Sequence, residues 1–174
     1  MAKLIALTPC GGLLPVTHGD VTVSEVVTDQ LTSVAPFAGQ AKAVSARLKE
    51  QVGDGLPAVG RRSGAVMWFG HGTWMVAGCV TLDGLAAITD QSDAWAVIAI
   101  NGARVEDVLA RLVPIDLRAL VFKKNLVAKT MLGHLSVPIA RSGSESFEIM
   151  VMRSTAHTLV HDLEVAMRGV AARG

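Results

Sequence analysis

Over residues 21–27 (VTVSEVV) apolar and polar positions alternate, and the β-branched content makes this stretch a predicted strand. The period changes over 35–53, where Ala41, Val44, Leu48 and Val52 recur at helical spacing and Gly53 and Gly55 end the run. Residues 64–80 carry two apolar stretches about Gly70-His71-Gly72, the pattern of a hairpin with a short loop. Those glycines serve a turn; they lack the spacing of a phosphate-binding loop. A further strand is predicted over 94–102, closing on the turn pair Asn101-Gly102. A helix follows over 104–113, with Val105, Val108, Leu109 and Leu112 as its apolar stripe and Pro114 as its stop. Residues 126–143 and 146–153 read as antiparallel strands joined through Ser142-Gly143-Ser144. The last helix starts at Ser154, a favourable N-cap, and runs to about Gly169.

This order contains too few strand–helix units for a wound parallel sheet. It predicts an α+β fold of mixed or antiparallel sheets with helices on one face, the second half having the look of a ferredoxin-like split βαβ unit. With no internal repeat or low-complexity tract, residues 1–174 are expected as a single compact unit. The unit divides into lobes 20–88 and 89–174, with 1–19 as an N-terminal arm.

Composition narrows the function classes. The chain is 51% hydrophobic with a mean hydropathy of +0.44, yet only 4% aromatic and without tyrosine. That is enough to bury a core and leave apolar surface for a partner. A net charge of +1 with scattered Lys and Arg excludes a nucleic-acid footprint. Cys10 and Cys79 make neither a disulfide framework nor a metal knuckle, which fits a reducing compartment. Lys3 precedes the apolar "LIAL", but Thr8-Pro9 interrupts that run well short of a span of about 20 residues. A cytoplasmic protein without membrane attachment is expected.

The sharpest chemical pattern is His157-Thr158-Leu159-Val160-His161. Histidines four apart on a helix can close on one metal, as in zinc proteases, where a glutamate stands at the position held here by Thr158. Sorting the helix at about 100° per residue puts Ala156, Leu159, Val160, Leu163, Ala166, Met167 and Val170 on one stripe. His157, His161, Glu164 and Arg168 form a second row outside it. Within that row His161 can meet Glu164, and Glu164 can meet Arg168. No third ligand is evident, so the row reads as solvated or partner-facing and no metal site is assigned. Asp90 and Asp93 read as turn residues, Trp68, Trp74 and Trp95 as core anchors or interface groups, and Lys123-Lys124 as a solvated loop. A thiol–imidazole pairing of Cys10 has nothing to fix it. No catalytic residue is assigned.

Several longer stretches, taken in order, resemble the gamma-subunit family of heterotetrameric sarcosine oxidases. They are "TDQSDAWAVIAINGARVEDVLARLVPIDL" (89–117), "AKTMLGHLSVPIARSGSESFEIMVMRS" (128–154) and "AHTLVHDLEVAM" (156–167), with "TVSEVVTDQLTSVAPFAGQ" (22–40) and "MWFGHGTWMVAG" (67–78) upstream. The resemblance implies a fold like the folate-binding domain of the glycine-cleavage aminomethyltransferase. It also implies a place in a complex that oxidatively demethylates sarcosine and passes the one-carbon unit to tetrahydrofolate. FAD, FMN, NAD, zinc and tetrahydrofolate are then expected in the alpha, beta and delta partners, and no cofactor in this chain. The transferases carry a catalytic aspartate in the strand matching 131–138, where this chain has Gly133-His134-Leu135. The resemblance thus makes Gly133 and His134 a degenerate folate-site equivalent, because a histidine cannot supply the same anionic partner at neutral pH. The reading that follows is a non-catalytic docking subunit, with Trp68, Trp74, His157 and His161 as candidate interface residues. The alternatives are a free-standing folate-binding protein of aminomethyltransferase type and an HxxxH metalloprotein.

Overall fold

The computed structural model describes residues 7–174; residues 1–6 of the expected arm lie outside the described residues. The chain runs β1 (Val16–His18), β2 (Val21–Glu25), β3 (Leu31–Pro36), α1 (Ala41–Val52), β4 (Arg62–Ser63), β5 (Val66–Gly70), β6 (Thr73–Ala77) and β7 (Ala86–Asp90). It continues β8 (Trp95–Asn101), α2 (Val105–Leu109), β9 (Val127–Leu132), β10 (Leu135–Gly143), β11 (Ser146–Met152), a 3₁₀ turn (Arg153–Thr155) and α3 (Ala156–Ala171). The strands form a six-stranded sheet, β1-β2-β8-β11-β10-β9, and a five-stranded sheet, β4-β5-β6-β3-β7. Every pairing in both is antiparallel.

Side-chain alternation assigns the faces of the larger sheet. Ile98 and Ile100 of β8, Ile139 of β10 and Ile149 of β11 face α2 and α3, whose Val108, Leu109, Leu159 and Leu163 complete one core. Val97, Ala140 and Met150 point the other way and meet Leu31, Met67 and Met75 of the smaller sheet. The smaller sheet's outer face packs Val34, Val66 and Val76 against Val44 and Leu48 of α1. The layers are therefore helices, sheet, sheet, helix, and each sheet has helices on one face only. At one border the sheets are stitched by backbone bonds, with Val127 N–H donating to Gly60 O and Arg62 N–H to Asn125 O.

The α+β class and the antiparallel sheets match the expectation from sequence. Several local expectations do not. The three antiparallel steps from β8 through β11 and β10 to β9 make β8 and β9 antiparallel, so α2 does not bridge a split βαβ unit. Residues 126–143 are not one strand: Gly133, at φ +54°, opens a two-residue hairpin loop between Leu132 and Leu135. The helix expected from 35 starts at Ala41, because Ala35 and Pro36 belong to β3, and its Ala41 is exposed. Ser154 caps nothing; it lies inside the 3₁₀ turn, and α3 runs past Gly169 to Ala171. Residues 16–25, split between the expected arm and the first lobe, enter the larger sheet as β1 and β2, while β7 ends the smaller sheet at Asp90. At Asn101-Gly102 the expected turn has a tertiary cause. A Cβ on Gly102 would lie 1.9 Å from Asp20 O, so the backbones approach where only glycine fits.

Burial on both sides makes β8 sensitive to truncation. Ile98→Ala is expected to cost about 2–5 kcal/mol in urea unfolding, while Val165→Ala on the exposed side of α3 stays within about 0.5 kcal/mol.

Candidate functional site

Residues 26–30 carry the chain from β2 in the larger sheet to β3 in the smaller one. Val26 is pinned to β8 by its N–H bond to Val97 O at 2.8 Å. On either side of this crossing the sheets do not close fully. One cavity is about 240 Å³ and the other about 130 Å³, and Val26, Thr28, Leu31 and Val97 line both.

The larger cavity is acidic at its rim, with Glu25, Asp29 and Asp93 among its lining residues, and Arg153 as its cation. Glu25 is occupied: its carboxylate accepts from the Thr8 hydroxyl at 2.6 Å and from the Cys10 N–H at 3.0 Å. Arg153 donates to Leu7 O. Burial, reinforced by the neighbouring Glu25 carboxylate, pushes the Cys10 thiol up to about 11. A thiol held protonated is no nucleophile at neutral pH, and this removes the basis of a thiol–imidazole pair. Beside the cavity, Asp90 accepts from the Ser92 N–H at 2.9 Å and its hydroxyl at 2.5 Å, which holds the Asp90 carboxyl below its ordinary value. "DQSD" is thus a side-chain-stapled turn.

The smaller cavity is apolar within, its walls built by Met67, Met75 and Met150 with Val26, Leu31 and Val97. At its rim Arg62 Nη1 pairs with Glu148 Oε2 at 2.5 Å, and Arg62 Nε donates to Gly64 O at 2.9 Å. Both side chains are a quarter exposed.

The residues singled out from sequence are dispersed. His157 and His161 are both exposed on α3, as the helical sorting requires. The partner of their row comes from elsewhere: Glu164 accepts from His18 Nε2 of β1 at 3.2 Å and from Arg168, not from His161. The His18 bond first, and the Arg168 bond second, hold the Glu164 carboxyl below its ordinary value of 4.5. Among the described residues no three His, Cys, Asp or Glu side chains converge as a metal would need. Trp68 and Trp74 are half-buried cross-strand partners. Trp68 packs on the layer between the sheets; Trp74 packs toward α1 and donates to Pro57 O at 3.0 Å. Gly133 and His134 form the exposed tip of the β9–β10 hairpin and line neither inter-sheet cavity. A carboxylate oxygen of Asp162 on α3 lies 3.3 Å from where a Cβ on Gly133 would sit.

Sequence reasoning missed Arg141, which is 1% exposed in β10. Its guanidinium donates to Glu106 Oε1 at 2.6 Å, to Ser144 O at 2.5 Å and to Leu117 O, and lies 4.3 Å over the Phe147 ring. The signal was weak, because Arg141 follows an apolar run and reads as the polar end of a strand.

Two measurements check these placements. Alkylation of the native chain at pH 8 should label exposed Cys79 and spare Cys10, which should react only after unfolding. A carboxyl with a lowered folded pKa stabilises fully above its ordinary value, and that contribution is lost as the pH falls through the folded value. Wild type should therefore exceed Glu164→Gln in urea midpoint at pH 7, and the gap should close as the pH drops below 4.5.

No protein-family model and no curated protein sequence matches the chain. Among solved structures it is similar to a chain of the heterotetrameric sarcosine oxidase from Corynebacterium sp. U-96, solved in complex with pyrrole 2-carboxylate. The TM-score is 0.81 at 24% identity, covering 95% of this chain and 96% of that one. Aspartate kinase from Clostridium acetobutylicum and aspartokinase III from E. coli align at TM-scores of 0.38 and 0.40, each 10% identical. They cover 84% of this chain but only 34% and 32% of theirs. Over nearly the whole length of both, this chain has the fold of the sarcosine oxidase chain, and it is a heterotetrameric sarcosine oxidase that it resembles.

Proposed function

We propose that this chain is the gamma subunit of a heterotetrameric sarcosine oxidase and serves it as a non-catalytic docking module. The observation that carries the reading is the end-to-end match: 95% of this chain lies on 96% of a sarcosine oxidase chain. A fold shared over the whole of both chains is what a subunit of the same kind would have, whereas a borrowed domain would cover part of a longer chain.

The surface supports a docking role. Leu120 is 89% exposed, Val59 73% and Val27 69%, and β7 ends the smaller sheet with Ala87, Ile88, Thr89 and Asp90 all open to solvent. A strand exposed on both faces, with a free edge, is a liability that a partner covers. In this reading alpha, beta and delta subunits are the partners, and FAD, FMN, NAD and zinc belong to them. Oxidative demethylation of sarcosine, with transfer of the one-carbon unit to tetrahydrofolate, is then work of the assembly. The alignment of Gly133-His134 with the transferase aspartate supports the loss of folate chemistry from this chain, since the hairpin tip offers no carboxylate of its own.

Co-expression with the large-subunit genes of a heterotetrameric sarcosine oxidase tests the proposal. A tag on this chain should recover a flavin-coloured complex with sarcosine-dependent oxygen uptake. Leu120→Asp combined with Ile88→Asp should cut recovery roughly tenfold, since each places a charge where an interface core is apolar. Recovery of this chain alone, from a lysate that contains the large subunits, overturns it.

A further inference from the structure

We infer that the smaller inter-sheet cavity is a binding site for a neutral, ring-sized molecule that presents an adjacent hydrogen-bond donor and acceptor, the pattern of an amide or lactam. The inference is independent of the docking proposal, since it rests only on the interior of this chain.

The walls set the size and the body of the ligand. A volume of about 130 Å³ is close to the roughly 150 Å³ of an apolar cavity that takes up benzene. Three methionines supply the lining, at 8% exposure for Met67, 2% for Met75 and 5% for Met150. Thioether chains are unbranched and polarisable, so they adapt to small ligands where a branched lining would be fixed in shape.

The rim sets the polar end. Arg62 uses Nε on Gly64 O and Nη1 on Glu148 Oε2. Among the described residues, Arg62 Nη2 and Glu148 Oε1 have no hydrogen-bond partner. Both residues line the cavity, so this open donor and open acceptor belong to two ion-paired side chains at its rim. A carbonyl would accept from Nη2 while its neighbouring N–H donates to Oε1, and charge-assisted bonds of this kind are stronger than neutral ones.

Net charge is decided by the same pair. Arg62 and Glu148 already neutralise one another, so a carboxylate ligand would meet Glu148 and an ammonium ligand Arg62, each at close range and partly desolvated. A neutral dipole meets neither penalty. Water alone satisfies the rim but leaves the methionine walls wetted, and a ligand that displaces it gains their burial.

The test uses the full chain with carbon-13-labelled methionine methyls. The probes are 2-piperidone as the neutral lactam, piperidine as the cation and butyrate as the anion. 2-Piperidone should shift the Met67, Met75 and Met150 methyls saturably, with a dissociation constant on the order of 1 mM. The exposed Met131 and Met152 should not move. Piperidine and butyrate should bind roughly tenfold more weakly or worse. Glu148→Gln leaves Arg62 uncompensated, so butyrate affinity should rise roughly tenfold over wild type. Ala65→Leu fills the space from the β4–β5 turn and should abolish the lactam response; if that variant does not fold, the wild-type methyl pattern decides. Lactam shifts absent from the three methyls, charged probes binding as tightly as the lactam, or an unchanged response in folded Ala65→Leu would each overturn the inference.

Discussion

The structure depends on one demand: β8, β11 and β10 must be covered on both faces at once. Helices α2 and α3 bury the side carrying Ile98, Ile139 and Ile149, and the smaller sheet buries the side carrying Val97, Ala140 and Met150. A strand in that position needs apolar residues at every step, and "AWAVIAI" is such a run. The smaller sheet inherits a complementary demand, with a methionine-rich face toward its partner and a valine face toward α1. Remove either layer and one side of the central strands is left in water.

Polar groups inside this frame hold irregular chain. Arg141 is the clearest case, because it takes two carbonyls and the Glu106 carboxylate from segments that have no sheet partner of their own. Its carbonyl partners at 117 and 144 and its carboxylate partner on α2 are thereby tied to β10. Those bonds and the Phe147 ring beneath its face offset the cost of burying the guanidinium, although its buried Nε has no hydrogen-bond partner among the described residues. Glu164 does the same on the outside of α3, where it holds the short β1 by His18.

The sheets do not meet perfectly where the chain crosses between them, and the cavities lie there. The crossing segment sends Val26 into the layer, and the methionines beside it fill irregular space loosely. The same architecture that leaves interior space also leaves exterior work undone, with an uncovered edge at β7 and isolated large apolar side chains. Both features suit a chain whose fold matches a subunit of a larger enzyme.

Much of this was legible without coordinates. The β5–β6 hairpin about His71, the strand over 94–102 and the core stripe of α3 follow from periodicity, because a half-buried element must repeat its apolar positions at its own structural period. The strands that went unread, β1, β3, β4 and β7, are short or nearly all exposed or carry polar residues on a face that partners only later. Propensity has nothing to grip in such segments; pairing with strands distant in sequence creates them. The histidine row shows the same division. Its position outside the core stripe was determined by helix geometry alone, within one element. That its carboxylate binds His18, 146 residues away, was decided only when two remote segments met, because local spacing carries no information about long-range neighbours.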